Sequence, residues 1–333
     1  QGAQQTSPVL LANDAWWKRF GDPTLDALVT RAMSGNLDLE RAKERVNEAR
    51  ASARAVPATV SVSPQASYRR EGIRGQGHDQ AGVGVLDFDW LLDPWGARRE
   101  QVKAAGARVE AADAELDAAR LLVLQNLGQA YVDLRYQERM LALRQGELAS
   151  RRETRALINR LSEAGEATKL DLVNADALLA ETEAELPSLR AGAENARTEV
   201  AILTGSLPGA APVDLSKGRG RQPRVGLSPD VGIPADLLRN RPDIRIAERF
   251  YAAAVSDAGA ARAALYPRLS LSGAITLSGL RTDPNAEYWF GPVLTLPALP
   301  DSPRRGTADA ADAKARQAHV SWKNTVLGAI GDV

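Results

Sequence analysis

The chain has 333 residues, a formal net charge of zero, no cysteine, and 5% aromatic against 25% charged residues. Without cysteine there are no disulfides, thiol catalysis or thiolate-held metals, and neutrality removes the broad field that would draw nucleic acid. Few aromatics among many charges suit long water-facing helices better than a thick globular core.

Gln1 opens a polar stretch with no apolar signal core, so any export signal is expected to have been removed or never included. No run approaches the roughly 18 apolar residues of a membrane helix, so a membrane crossing would need strands. After this loose start, Asp22 to Met33 reads as a short helix ended by Gly35, and Asn36 caps a second helix from Leu37 to about Val56. Pro57 stops that helix and the pattern changes to period two. Val60, Val62, Pro64, Ala66 and Tyr68 take one face of a strand, and Ser61, Ser63, Gln65 and Ser67 take the other. A polar, glycine-rich loop over 71–80 leads to a second strand over about 81–90, whose alternation slips at Val85 and Leu86 and so predicts a bulge.

A proline-free stretch follows from Ala97 to Ala164. Val102, Ala105, Val109, Ala112, Leu116, Ala119 and Val123 keep a 3-4 spacing, which resumes after a four-residue stutter at Leu127, Ala130, Leu134, Leu141 and Leu148. A helix of that extent is about 100 Å long, too long for a compact domain. Gly165 ends it, and Thr168 with Asp171 forms a capping box for a returning helix. Its seam is read as Leu170, Val173, Ala177, Ala180 and Ala184, then Leu189, Ala193, Ala196, Val200 and Leu203, with Pro187 kinking the helix between the two registers. The result is a long antiparallel hairpin over 97–204.

A Pro/Gly-rich connector over 206–232 precedes a second round of the same plan. A short helix over Pro234 to Leu238 and a longer one from Pro242 to Leu265 are followed by strands over about 268–278 and 288–297, then by a helix from about Arg304. The segments Ala49–Pro57 and Gly259–Pro267 are visibly related, so residues 1–205 and 233–333 read as two copies of one unit, the second incomplete. Four strands with one apolar face cannot close a membrane barrel, which needs at least about 8, and an open edge in lipid leaves backbone groups unpaired. Oligomerisation is therefore required, and three chains would supply twelve strands.

Trp17-Lys18-Arg19-Phe20-Gly21-Asp22-Pro23-x-Leu25, Gly232-Ile233-Pro234-Ala235-Asp236-Leu237-Leu238 with Arg241-Pro242-Asp243-Ile244, Gly259-Ala260-Ala261-Arg262-Ala263-Ala264-Leu265-Tyr266-Pro267, and the tip pattern Arg160-x4-Gly165-x2-Thr168-x2-Asp171 carry a family resemblance. The chain resembles the TolC-type outer-membrane factors, in the NodT-like branch serving RND-type multidrug pumps, with the end of the second hairpin missing. That resemblance implies a mixed α and β fold with long coiled-coil hairpins and four transmembrane strands per subunit. It further implies a homotrimer with a twelve-stranded barrel in outer-membrane lipid, a helical tunnel through the periplasm, and a periplasmic adaptor joining the duct to an inner-membrane pump. Arg160, Leu161, Gly165, Glu166, Ala167, Thr168, Lys169 and Asp171 would then form the adaptor-docking tip, with Thr168 and Asp171 holding the turn. Members of this branch often begin with a lipidated cysteine, which Gln1 is not. The family's tunnel-closing acidic residues belong to the missing tip.

Tyr288, Trp289 and Phe290 read as an interfacial aromatic girdle, and Trp90 and Trp95 as either girdle or packed core. Asp87 and Asp89 are assigned to water in a barrel lumen rather than to catalysis, and Lys217 to Arg221 to a solvated loop. His78 and His319 belong to no metal or triad pattern, so neither enzyme activity nor a cofactor is expected. A periplasmic adaptor, a type I secretion duct and a cytoplasmic coiled-coil scaffold are the alternatives. The first would need glycine-rich lipoyl-like halves, and the last leaves the one-sided strands unexplained.

Overall fold

A computed structural model describes residues 15–72, 78–210, 213–223, 241–278, 285–297 and 302–332. The expected short helix at Pro234 to Leu238 lies outside them. The described chain runs through a 3-10 turn at Trp16–Phe20, α1 (Pro23–Gly35), α2 (Leu37–Arg54), β1 (Val60–Gly72), β2 (His78–Leu91), α3 (Ala97–Glu163), α4 (Lys169–Leu203), α5 (Pro242–Ala263), β3 (Arg268–Ser278), β4 (Asn285–Thr295) and α6 (Ser302–Gly331). Two compact units result: one holds 1–44 and 115–240, the other 45–114 and 241–333. Helices α2 and α3 contribute residues to both.

The first unit is built on α1, α3 and α4. Asp22 caps α1 by accepting from the backbone N–H groups of Thr24 and Leu25 at 2.9 and 3.2 Å. Leu25, Leu28, Val29 and Ala32 then bury one face of α1 in a core shared with Val123, Leu127, Ala130 and Leu134 of α3 and Ala196 and Val200 of α4. Asn36 caps α2 through the N–H groups of Asp38 and Leu39, and its amide also donates to the Leu203 carbonyl at 2.9 Å. Gly35 ends α1, though not through a left-handed turn. It is glycine because a Cβ there would sit 2.9 Å from the Thr204 carbonyl, and one on Gly205, whose φ is +71°, would lie 1.9 Å from the Gly35 carbonyl.

The seam of the hairpin differs from expectation on α4. Leu170, Val173, Ala177, Ala180 and Ala184 are exposed, whereas Ala175, Thr182, Leu186, Ala193, Ala196 and Val200 are buried and Leu172, Leu179 and Leu189 half-buried. One unbroken 3-4 stripe therefore runs from Leu172 to Val200 straight past Pro187, which lies within a continuous helix. The two stripes are two residues apart, about 200° around the helix, so α4 is apolar on nearly opposite faces. Thr182 disguised the buried one; its hydroxyl is satisfied by the Leu178 carbonyl at 2.9 Å. At the start of α3, Val102 is exposed and Ala105 and Val109 are half-buried, while Ala112 of the expected seam is buried together with Ala104, Ala111 and Ala114.

The second unit holds one antiparallel sheet in the order β1-β2-β3-β4, so strands from either side of the connector meet at β2–β3. The third strand, β3, keeps its expected bounds, while β1 and β2 reach beyond the alternation that announced them and β4 lies about three residues earlier than expected. The expected bulge is absent: Val85 and Leu86 pair in unbroken register with Gln65 and Pro64 on one side and with Thr276 and Ile275 on the other. The slip in alternation comes from Val83 and Val85, which share the face of Asp87 and Asp89, while Gly82 and Gly84 occupy the apolar one. Helices α5 and α6 pack antiparallel through stacked Tyr251, His319 and Trp322, with Arg241 bridging Asp243 and Asp332 at one end and Arg262 meeting Asp312 further along.

Candidate functional site

At the hairpin tip, α3 closes with a short cascade of backbone bonds: Ala164 N–H to the Arg160 carbonyl at 3.1 Å, Gly165 to Ser162 at 3.1 Å and Glu166 to Leu161 at 2.8 Å. Gly165 takes φ +81°, which bends the chain out of the helix at no steric cost. Thr168 then opens α4. Its hydroxyl accepts from the Asp171 N–H at 3.2 Å and donates to the Asp171 carboxylate at 2.6 Å, while its own N–H donates to that carboxylate at 2.9 Å. The Thr168 hydroxyl, followed by its N–H, holds the Asp171 carboxyl below the usual carboxylate range. Thr168 and Asp171 are thus occupied with each other, as a turn-holding pair must be. Around them Arg160, Gly165, Glu166, Lys169 and Leu170 are exposed, and Leu161 and Ala167 half-buried. The tip presents both charge signs beside an apolar rim of Leu170, Val173 and Leu157.

The sheet is the second candidate. Because the register is unbroken, face membership can be counted across it. One face carries Val60, Val62, Pro64, Ala66 and Tyr68 of β1; Leu86, Phe88 and Trp90 of β2; Leu269, Leu271, Ile275 and Leu277 of β3; and Ala286, Tyr288, Phe290, Pro292 and Leu294 of β4. Between Val60 and Tyr68, between Gly82 and Trp90 and across β3 and β4, the only positions of this face without an apolar side chain are Gly82, Gly84 and Gly273. Gly273 has a reason to lack a side chain: Phe290 lies across it, 2.8 Å from where a Cβ would stand, and reaches Phe88 at a ring separation of 6.0 Å. Much of this face is exposed, with Tyr288 at 86% and Ile275 at 48%.

The opposite face is polar and internally bonded. Asp89 accepts from the Ser272 hydroxyl at 2.7 Å and from Arg268 at 3.1 Å, and Gln65 donates to Asp87 at 3.4 Å. Trp289 belongs to this face, opposite Ala274, so it cannot join Tyr288 and Phe290 in one girdle. Alternation along a strand separates adjacent residues, and a run of three aromatics hides that. Trp90 stands on the apolar face, 43% exposed. Trp95 does not: it stacks on Tyr266 at 4.7 Å and donates to the Pro267 carbonyl at 2.8 Å, tying the end of β2 to the start of β3.

One polar cluster had no sequence signal. Arg135 on α3 is fully buried; it pairs with Glu138 at 2.8 Å and donates to the carbonyls of Leu215 and Lys217 at 2.9 and 2.7 Å, and Gly220 N–H donates to Glu138 at 3.2 Å. The segment around Lys217 to Arg221 is thus anchored through its backbone while its basic side chains stay in water. Arg135 and Glu138 look like ordinary surface charges at i, i+3, but the returning connector meets both of them and Arg197 of α4 lies 3.6 Å from Glu138.

Residues 28–206 and 233–333 match the family described as outer membrane efflux protein. The chain is 39% identical over 331 residues to nodulation protein T of Rhizobium leguminosarum bv. trifolii, covering 96% of this chain and 70% of that protein. It is 30% identical over 338 residues to the pyoverdine export outer membrane protein OpmQ of Pseudomonas aeruginosa, covering 95% and 70%. Among solved structures, the outer-membrane channel OprN superposes with a TM-score of 0.81 at 34% identity, over 95% of this chain and 74% of that one. The outer membrane protein VceC of Vibrio cholerae superposes with a TM-score of 0.79 at 26% identity, over 96% and 79%.

Proposed function

The chain belongs to the outer membrane efflux protein family and is an outer-membrane channel component of an efflux system; from that premise we propose that three copies form a continuous passive duct for small molecules. One observation carries the reading. Among the described residues there is a four-stranded sheet whose one face carries no charged residue from Val60 to Tyr68, from Gly82 to Trp90 and across β3 and β4, and whose two outer strands, β1 and β4, each pair on one side only. In lipid such a sheet must find edge partners, because unpaired N–H and C=O groups there cost several kcal/mol each. Three copies give twelve strands, enough for a barrel, with Asp87, Asp89, Ser270 and Ser272 turned to a wet lumen. No described helix is long and apolar enough to cross a membrane.

The second apolar stripe of α4 supports the same reading. A helix in the wall of a tube needs a neighbour on each side, and α4 is apolar on two nearly opposite faces, only one of them covered within the chain. In this scheme residues 1–205 and 233–333 are the two repeats, joined by 206–232. The tip around Gly165, with Arg160, Glu166 and Lys169, meets a periplasmic adaptor that links the duct to an RND-type pump. No bond is made or broken in the duct; the pump supplies the energy.

The test places a photo-crosslinking residue at Lys169 or, as a control, at Arg190, which is exposed far along α4. In cells carrying the pump, Lys169 should capture the adaptor and Arg190 should not, and the full-length protein should leave the outer membrane only with detergent, as a trimer. A detergent-free monomer would end the duct reading; capture from Arg190 alone would end the assignment of the tip.

A further inference from the structure

We propose that the helical end of the sheet holds a binding site for cargo in transit, selective for organic anions with a flat apolar body. The proposal rests on the duct reading above and adds a substrate class to it. A cavity of about 850 Å³ lies where β1 and β3 begin and β2 and β4 end, and residues of α3, α5 and α6 complete its wall. Its whole lining belongs to the unit that holds the sheet. Small-molecule pockets usually span about 300–1,000 Å³.

Strand register fixes the side of the sheet on which the cavity opens. Ser61 stands opposite Asp89 in the β1–β2 pairing, and Arg268 opposite Thr295 in the β3–β4 pairing. All four line the cavity, and all four belong to the polar face. In a barrel that face turns to the lumen, at the point where cargo leaves the helical tunnel for the strands. Lipid would meet the other face, so a ligand here comes from the duct.

One wall of the cavity is aromatic. Trp95 and Tyr266 stack at 4.7 Å with their planes 22° apart, yet they remain 51% and 54% exposed. The Trp95 N–H is spent on the Pro267 carbonyl, so the stack is held in place and presents ring surface. A further flat apolar body extends such a stack without breaking a hydrogen bond. The charge comes from arginine: Arg98, Arg268 and Arg304 line the cavity against two carboxylates, Asp89 and Asp93. Both carboxylates are engaged. Asp89 accepts from Arg268 and the Ser272 hydroxyl, and Asp93 accepts from the backbone N–H groups of Arg98 and Arg99 at 3.2 and 3.1 Å. Arg98 donates through Nε to the Pro57 carbonyl at 2.7 Å, and Arg304 through Nη1 to the Ala264 carbonyl at 3.4 Å; neither meets a carboxylate among the described residues. The Pro57 bond orients the Arg98 guanidinium and leaves its two terminal nitrogens open, the pair that can grip a carboxylate in a bidentate contact. Excess positive charge beside a ring surface selects a carboxylate or sulfonate on an aromatic frame and repels a cation. Such a contact suits a duct, since transit needs sites that capture a molecule and still release it.

The photoreactive aromatic carboxylate 4-benzoylbenzoate tests the site. Irradiated with the full-length protein in detergent, it should label peptides that carry Trp95 or Tyr266. Excess 2-naphthoate should suppress that labelling, whereas 2-naphthamide and 2-naphthylmethylammonium should not. Exchanging one guanidinium for an amide, in R98Q or R304Q, should lower the labelling about tenfold, the loss of one hydrogen bond to a charged group. The competition needs no variant, so it decides even where a substitution disturbs assembly. Native mass spectrometry reports the trimer separately. In a trimer, no label on these peptides, equal suppression by the amide, or unchanged labelling in both variants overturns the site and leaves the duct standing. A monomer overturns the duct and the site with it.

Discussion

Asp22 holds two structures together at once. Its carboxylate caps α1, and it also accepts from the Tyr131 hydroxyl of α3 at 2.5 Å. Burial, reinforced by the Asp22 bond, pushes the Tyr131 phenol up to about 12. The direction sets a pH window: the unfolded tyrosine ionises near 10 and the folded one near 12, so the contact's contribution is intact below about pH 10 and is lost as pH rises through 12. Removing the carboxylate takes away a cap worth about 1 kcal/mol and leaves a buried hydroxyl unpaired at about 1–3 kcal/mol. Asp22→Ala should therefore weaken the docking of α1 by about 2–3 kcal/mol, read as roughly 30-fold or greater acceleration of hydrogen exchange in α1. Asp22→Asn, which keeps an acceptor, should lose much less; equal acceleration in both variants would show that the hydrogen bonds are not what anchors α1.

For an element such as α4, periodicity alone admits two answers. Stripes at 170-173-177-180-184 and at 172-175-179-182-186 both satisfy a 3-4 repeat. Arg152 with Glu183 and Arg155 with Asp176 flank the buried stripe as cross-helix ion pairs, at 2.8 Å each, and fix which face meets α3. A buried leucine cut to alanine costs about 2–5 kcal/mol, while an exposed truncation stays within about 0.5 kcal/mol. Leu186→Ala should accordingly loosen the hairpin, seen as faster hydrogen exchange near residue 186, whereas Val173→Ala should leave it unchanged. The reverse outcome would restore the seam expected from the sequence. The strands pose the opposite case: period two has only two faces, and an unbroken register lets every side chain be placed by counting.

Across the whole molecule the apolar face of the sheet faces a solvent the single chain cannot supply. A charge placed on it should be far more harmful than one placed a single residue away. Arginine near the middle of a membrane strand's lipid face costs about 2–4 kcal/mol, while lumen substitutions are tolerated. Ile275→Arg should thus lower the yield of assembled outer-membrane protein severalfold, and Thr276→Arg, on the polar face, should assemble normally. Equal yields would mean that this face does not meet lipid.

Local sequence determined the elements, the caps and the amphipathic sheet, because period, proline stops and capping boxes act within a few residues. The Thr168–Asp171 box and the Asp22 and Asn36 caps are of this kind, and so is the polar and apolar division of β1. Only tertiary structure decided which stripe of α4 is buried, why Gly35 and Gly205 must be glycines, that Arg135 and Glu138 are covered by the returning connector, and that Trp289 stands apart from Tyr288 and Phe290. Each of these depends on a backbone or side chain brought from far along the chain, or on a register counted across several strands. Burial and close approach are properties of pairs of segments, and no single segment carries them.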